Sequence, residues 1–299
     1  MQGEKGEFRS GFATVVGRPN VGKSTLVNAL TGHKVSIVSD KPQTTRNRIH
    51  GVYTSPGLQI IFVDTPGIHR PRNLLGDYMV EVARKSLTEV EVVLWVVDGS
   101  VLPAGGEQHI AGFLSGLSVP VILVINKEDL IPAEILPGRI EVYRGLYPFS
   151  HVQTVSALNG TGLKELMDAI GQFLPPGPQY YPADMVTDQP QAFVLAEIIR
   201  EKAITLTRDE VPYGIAVGIE EITKRSEELI YVRATLYTER ESQKGIIIGH
   251  KGQMLKAIGQ LARQDMEAWL GVRVYLDLRV KTKKEWRQDQ VALRQLGYD

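Results

Sequence analysis

"GRPNVGKS", residues 17–24, decides how the first half of the chain is read. It fits G-x-x-x-x-G-K-[ST]. An apolar, β-branched run, "GFATVVG" (11–17), precedes it, and a helical pattern follows. A strand, a glycine loop and a helix start, in that order, form the context in which this motif cradles phosphates. Gly17 and Gly22 let backbone amides crowd round phosphate oxygens, and the helix N-terminus adds a favourable dipole. Lys23 places a charge on the β- and γ-phosphates, and the Ser24 hydroxyl can ligate Mg²⁺. Asn20, Val21 and Thr25 complete the nucleotide-binding positions of this loop.

Outward from the loop, short apolar runs alternate with helical patterns up to about residue 173. The runs are "LQIIFVDT" (58–65), "VEVVLWVVD" (90–98), "VPVILVIN" (119–126) and "HVQTVSA" (151–157). Strands alternating with helices predict an α/β fold, a mixed but mostly parallel sheet with helices on both faces. "RIHGVYT" (48–54) predicts one more strand, antiparallel to 58–64 across "SPG". Asp64, 40 residues after Ser24, ends a strand where it can hold Mg²⁺. In the same "DTPG" the Gly67 amide can meet the γ-phosphate. "NKED" (126–129) supplies the base end. Asp129 can accept two hydrogen bonds from guanine, Asn126 can contact the base or buttress the loop, and the Lys127 stem can lie over the ring. Adenine offers no matching pair of donors, and a site built around such a pair rejects its absence by roughly 10⁴-fold. "VSAL" (155–158) brings Ser156, the Ala157 amide and Leu158 near guanine O6.

In this order, the four signatures resemble the Ras-like P-loop GTPases of the translation-factor type, over residues 11–173. The resemblance implies a switch threonine in "KPQTTRNR" (41–48), with Thr45 the Mg²⁺ ligand by spacing and Thr44 the alternative. It also raises a difficulty. Where the best-known members carry a water-orienting glutamine, this chain has Ile68. A subset of the group shares a hydrophobic residue there, and in several of these an asparagine at the position of Asn20 helps bind K⁺. The resemblance thus implies slow GTP hydrolysis to GDP without a catalytic glutamine. Lys23, Thr45, Gly67 and Asn20 would do the catalytic work, with K⁺ where other systems insert an arginine.

"LPPGPQYYPADMVTDQP" (174–190) contains five prolines. Proline fixes φ and lacks an amide donor, so neither helix nor central strand runs through it. The expected division is a first domain over 1–174, a linker over 175–190 and a second domain over 191–299. In the second domain, "QAFVLAEIIREKAITLT" (191–207) has helical spacing. "PYGIAVGIEEIT" (212–223) and "ELIYVRATLYTE" (228–239) alternate like antiparallel strands, "RVYLDLRVKT" (273–282) reads as a third strand and "KEWRQDQVALRQL" (284–296) as a last helix. Between two helical stretches lies "GIIIGHKGQML" (245–255). Gly249, His250, Lys251 and Gly252 form a G-x-x-G loop, the mark of a KH domain (α+β, type II), which clamps about four nucleotides of single strand. Gly245 and Ile248 belong to the same candidate RNA surface. From Lys244 to Arg287 there are ten Lys/Arg against four Asp/Glu. Such a concentration predicts an electrostatic footprint that includes Lys281, Lys283 and Lys284. The combination resembles the Era family of ribosome-assembly GTPases across nearly the whole chain. It implies binding to the 3′ end of 16S ribosomal RNA and to the 30S subunit. It also implies peripheral contact with the inner membrane and a switch in which GTP favours RNA binding. The Gly-His-Lys-Gly loop departs from the more glycine-rich or basic middle that the family suggests.

Bulk composition narrows the alternatives. Lys+Arg and Asp+Glu are both 34, so net charge gives no argument for a polyanionic partner. There are no cysteines, which excludes disulfides, thiolate metal sites and Cys nucleophiles. "MQGEKGEFRS" has no apolar stretch of signal-peptide length, and "VEVVLWVV" (90–97) is too short to span a bilayer. A cytoplasmic monomer is expected. Two other classes compete: a membrane-associated signalling GTPase acting through protein contacts, and an RNA-modifying enzyme with a GTPase regulator. The second lacks a nucleophile arrangement, and His109, His151 and His250 are scattered. A single P-loop excludes a two-GTPase-domain factor.

Overall fold

The computed structural model describes residues 7–68 and 70–298. Residues 1–6, at the start of the expected first domain, His69 of "DTPGIH" and Asp299 lie outside them. The described chain forms two compact units. One contains residues up to 36, 45–70 and 79–188; the other contains 37–44, 71–78 and 189 onward.

In the first unit the elements alternate as expected. They are β1 (Arg9–Val16), α1 (Lys23–Thr31), β2 (Ile49–Ser55), β3 (Leu58–Asp64), α2 (Leu74–Lys85, of which 79–85 belong to this unit), β4 (Val92–Asp98), α3 (Gly105–Leu114), β5 (Val121–Asn126), α4 (Leu136–Arg144), β6 (His151–Thr154) and α5 (Leu163–Phe173). The sheet order is β2-β3-β1-β4-β5-β6, all parallel except β2, which forms the antiparallel hairpin with β3. Strands buried on both faces read as continuous apolar runs, and β3, β4 and β5 do. Alternate residues feed two cores. Val15, Phe62, Leu94 and Val124 pack with Leu26 and Leu30 of α1 and Leu166 and Ile170 of α5. Val16, Trp95, Val97 and Leu123 pack with Ile110 and Leu114 of α3 and Tyr143 of α4. Neighbouring β3, β1, β4, β5 and β6 run the same way, so their C-terminal ends share one edge, the usual place for ligands in such sheets.

The proline-rich stretch is not free of structure. Ser10 donates to the Pro178 carbonyl (2.6 Å), the Gly177 amide to Phe8 (2.9 Å) and the Val52 amide to the Val186 carbonyl (2.9 Å). The Gln59 side chain accepts the Tyr180 and Tyr181 amides. Residues without amide donors cannot extend the sheet, but their carbonyls accept from it.

The second unit contains α6 (Gln191–Leu206), β7 (Ala216–Ser226), β8 (Leu229–Thr238), α7 (Glu241–Ile248), α8 (Gln253–Leu270), β9 (Arg273–Thr282) and α9 (Gln290–Gln295). Its sheet runs β7-β8-β9, antiparallel then parallel. Two expected elements are shorter than their patterns suggest. Residues 211–214 form a 3-10 turn rather than the start of β7. Pro212 suits a helical first turn, and the Gly214 carbonyl accepts from the Trp286 indole (2.9 Å). The expected helix 284–296 breaks at Asp289, whose carboxylate caps α9 by accepting the Val291 and Ala292 amides. Within this unit α6 also holds the 37–44 segment: Glu201 accepts the Val38 amide (3.1 Å) and buried Arg200 donates to the Thr44 carbonyl (2.5 Å).

A glycine in β2 makes the tight seat of α1 testable. A Cβ on Gly51 would lie 2.9 Å from Thr31 Cγ2, 3.0 Å from Val35 Cγ2 and 3.1 Å from Val27 Cγ1. Gly51→Val is expected to destabilise the first unit by about 1–3 kcal/mol in urea melts. Gly112→Ala, at an exposed position of α3 where an added Cβ meets nothing, is expected to gain about 0.5–1 kcal/mol.

Candidate nucleotide site and RNA loop

The loop after β1 curls because two of its glycines adopt conformations closed to other residues. Gly17 has φ +155 and would place a Cβ 2.3 Å from the Val96 carbonyl; Gly22 has φ +96 and would meet the Asn126 amide nitrogen at 2.3 Å. Asn20, at φ +65, is exposed on the loop. Lys23 is buried, and its ammonium donates to the carbonyls of Gly17 (3.1 Å) and Arg18 (2.8 Å). Burial lowers the Lys23 pKa from the ordinary 10.5 to about 8, against the opposing pull of Asp64. Arg18 is anchored by the buried Glu107 of α3 (2.9 Å), which also accepts the Ala104 amide (2.8 Å).

Beyond Lys23 the hydroxyls of Ser24 and Thr45 lie 2.9 Å apart, and Thr45 Oγ1 is 3.4 Å from Asp64 Oδ2. The other oxygen of Asp64, Oδ1, is buried without a hydrogen-bond partner. Buried carboxylate oxygens are rarely left so, and a carboxylate with two hydroxyls is a donor set for a hard cation. Burial pushes the Asp64 carboxyl above its ordinary range, with bonds from Ser24 and the charge of Lys23 opposing. Of the two candidate threonines, Thr45 reaches this cluster. The Thr44 hydroxyl instead donates to the Lys41 carbonyl (2.6 Å). Gly67 sits so close to the loop that a Cβ would fall 2.8 Å from the Pro19 nitrogen. The Ile68 amide donates to the Gly17 carbonyl (3.2 Å), and its side chain is buried in the core with Val16 and Val97.

At the base end Asn126 donates to the Val21 carbonyl (2.9 Å) and accepts the Ala157 amide (3.0 Å). Ser156 donates to Asp129 Oδ1 (2.5 Å), aiming the exposed carboxylate. Lys127, at φ +64, bonds Asp98 (2.5 Å) at the end of β4. Burial favours the neutral carboxyl of Asp98, but hydrogen bonds from Lys127 and Ser100 outweigh it and hold the group below its ordinary range. Leu158 is exposed beside this loop. Thr25 follows Ser24 on the first turn of α1.

In the second unit, α7 ends at Ile248 and the G-x-x-G loop follows. Gly249 has φ +71 and Gly252 φ +78, and an added Cβ on Gly249 would meet Met254 Cβ at 2.7 Å. Between them Lys251 takes φ +49, and His250 and Lys251 are exposed. Gly245 is exposed one turn back, and its carbonyl accepts the Gly249 amide (2.9 Å). Of the expected basic footprint, Lys281 is set apart by the alternation of its strand. Val280 packs into the core with α8, so neighbouring Lys281 lies on the opposite sheet face, where it pairs with Glu220 (3.3 Å). Lys283 bonds Gln295 (2.5 Å), and Lys284 lines a polar recess with Glu239, Arg240, Glu241 and Arg287.

The comparisons agree with this geometry. Residues 12–127 match the family model described as "50S ribosome-binding GTPase", and residues 210–287 match a KH domain. GTPase Era of Geotalea uraniireducens is 50% identical over 293 residues, 98% of this chain and 99% of its own. GTPase Era of Halothermothrix orenii is 52% identical over 291 residues, 97% of this chain and 99% of its own. This chain belongs to the Era family. Among solved structures, Era in complex with MgGDPNP and nucleotides 1506–1542 of 16S ribosomal RNA superposes with a TM-score of 0.94 at 44% identity. That match covers 97% of this chain and 99% of the other. A variant of Aquifex aeolicus Era bound to GDP and aluminium fluoride gives a TM-score of 0.93 at 44% identity, with the same coverage.

Three residues of this Era-family site escape the motif reading: Arg18, Glu107 and Asp98. Asp98 had a usable signal, since it closes an apolar strand just as Asp64 does. Glu107 had none, because its partner lies 89 residues away. The Lys23 ammonium gives a pH test. Without nucleotide, the cost of keeping it charged is present in full below about pH 8 and relieved as pH rises towards 10.5. Phosphates restore the charged form, so GDP binding is expected to take up protons in that window. Calorimetry at pH 9 in buffers of different ionisation heat should show the uptake, and it should fall away by pH 7.

Proposed function

We propose that this chain binds and hydrolyses GTP, and that the nucleotide controls its hold on the 3′ end of 16S ribosomal RNA during maturation of the 30S subunit. The observation that carries the reading is the convergence, on one edge of the sheet, of Lys23, the Ser24–Thr45–Asp64 cluster and the Asn126–Asp129 loop. The likeness to Era with MgGDPNP and 16S nucleotides supports the choice of ligands. Ser24, Thr45 and Asp64 are the residues that would hold Mg²⁺, which when bound neutralises charge developing on the phosphates. Lys23 would hand its ammonium from the Gly17 and Arg18 carbonyls to the β- and γ-phosphates. Gly67 brings its amide to the terminal phosphate, and Asp129 selects guanine. Ile68, fixed in the core, cannot orient water, so water is positioned by backbone groups or by a partner and intrinsic turnover is slow. On this reading the chain is a cytoplasmic monomer with peripheral membrane contact.

Three measurements test it. Crosslinking of the purified chain to small-subunit particles is expected to be stronger with a GTP analogue than with GDP. Lys251→Glu should lower the RNA affinity about tenfold or more without changing GTP binding; equal binding by the variant would remove the G-x-x-G loop from the RNA surface. The third concerns the missing glutamine. If K⁺ held near Asn20 supplies the charge, GTP turnover is faster in potassium than in sodium, and Asn20→Asp erases the ratio. Equal rates in both salts would refute the potassium role.

A further inference from the structure

The open face of the β7-β8-β9 sheet carries an ordered aromatic stack. Val232, Ala234, Leu236 and Val274 point into the core beneath α6 and α8. Their alternates face the other way, and register sets Tyr231 beside Tyr275 and Tyr237 beside Lys281. The Tyr231 and Tyr275 rings stack at 5.9 Å with planes 22° apart. On the β7 side, the Arg225 guanidinium lies 4.8 Å from the centre of the Tyr231 ring. Arg225 falls at an irregularity of β7 between Lys224 and Ser226, the kind of bulge that re-aims a side chain. The tiers therefore run Arg225, Tyr231, Tyr275 across the sheet. β9 is the edge strand, so the stack ends in Tyr275, which is 63% exposed. Arg273, also exposed, shares this face of β9. The carboxylates here do not stand alone: Glu220 and Glu221 pair with Arg233, and Asp277 pairs with Arg279.

We propose that this face binds single-stranded RNA, with a base continuing the stack on Tyr275 and Arg273 meeting the backbone. Aromatic platforms suit this task because every base has a π-face, and side chains already stacked lose little freedom on binding. The inference rests on the RNA-binding reading and adds to it a second surface, on the sheet face turned away from the helices that carry the G-x-x-G loop. That loop accounts for about four nucleotides, so a longer strand has a remainder to place.

The test is fluorescence anisotropy of the full chain with labelled RNA of the sequence bound in the Era complex, at fixed salt and saturating GTP analogue. Tyr275→Ala is expected to weaken binding about 5- to 100-fold, while Tyr275→Phe, which keeps the ring, retains it. If Lys251→Glu weakens binding but Tyr275→Ala does not, the platform is refuted and the G-x-x-G reading survives. If neither weakens it, both fall. Equal losses in the Ala and Phe variants would overturn stacking. Independently of any variant's folding, photo-crosslinking of 5-iodouridine RNA to the unaltered chain should recover the Tyr275 peptide; its absence overturns the proposal.

Discussion

One buried amide holds the nucleotide pocket together. Asn126 spends its donor on the Val21 carbonyl and its acceptor on the Ala157 amide, and Gly22 leaves room for it. The glycine loop after β1 and the loops after β5 and β6 come from opposite ends of the first unit's sequence, and this side chain locks them in one geometry. A buried amide with both polar atoms satisfied is stable only in that arrangement, because losing either partner strands a desolvated group. The surrounding contacts then follow: Lys127 on Asp98, Ser156 on Asp129, Ile68 on Gly17.

Legibility in the sequence tracks locality. The strand–loop–helix at 11–31 was readable because its glycines, lysine and apolar run are contiguous, and the β2–β3 hairpin because "SPG" announces a turn. Asp64 and Asn126 were readable because each closes an apolar strand. Arg18–Glu107 was not, since no local pattern says where a P-loop arginine will find its carboxylate. Proline was read correctly once and missed once. No helix or strand runs through 175–190, as its missing amides require, although carbonyls there still accept bonds from Ser10 and Val52; Pro212, by contrast, starts a 3-10 turn where alternation suggests strand.

Charge counting along the sequence does not say which face a side chain takes. The ten basic residues between Lys244 and Arg287 look like one patch in a linear count. A strand sends alternate residues to opposite faces, and half of β9 is thereby turned away from the loop it was grouped with. Period, not proximity in sequence, decides which charges can add. The same alternation explains why Tyr231 and Tyr275, 44 residues apart, meet as neighbours.

Lys23 also stiffens the loop that carries it. Its ammonium, lodged on the Gly17 and Arg18 carbonyls, ties the start of the loop to the first turn of α1. A loop braced from within has little conformational freedom left to lose when a ligand orders it.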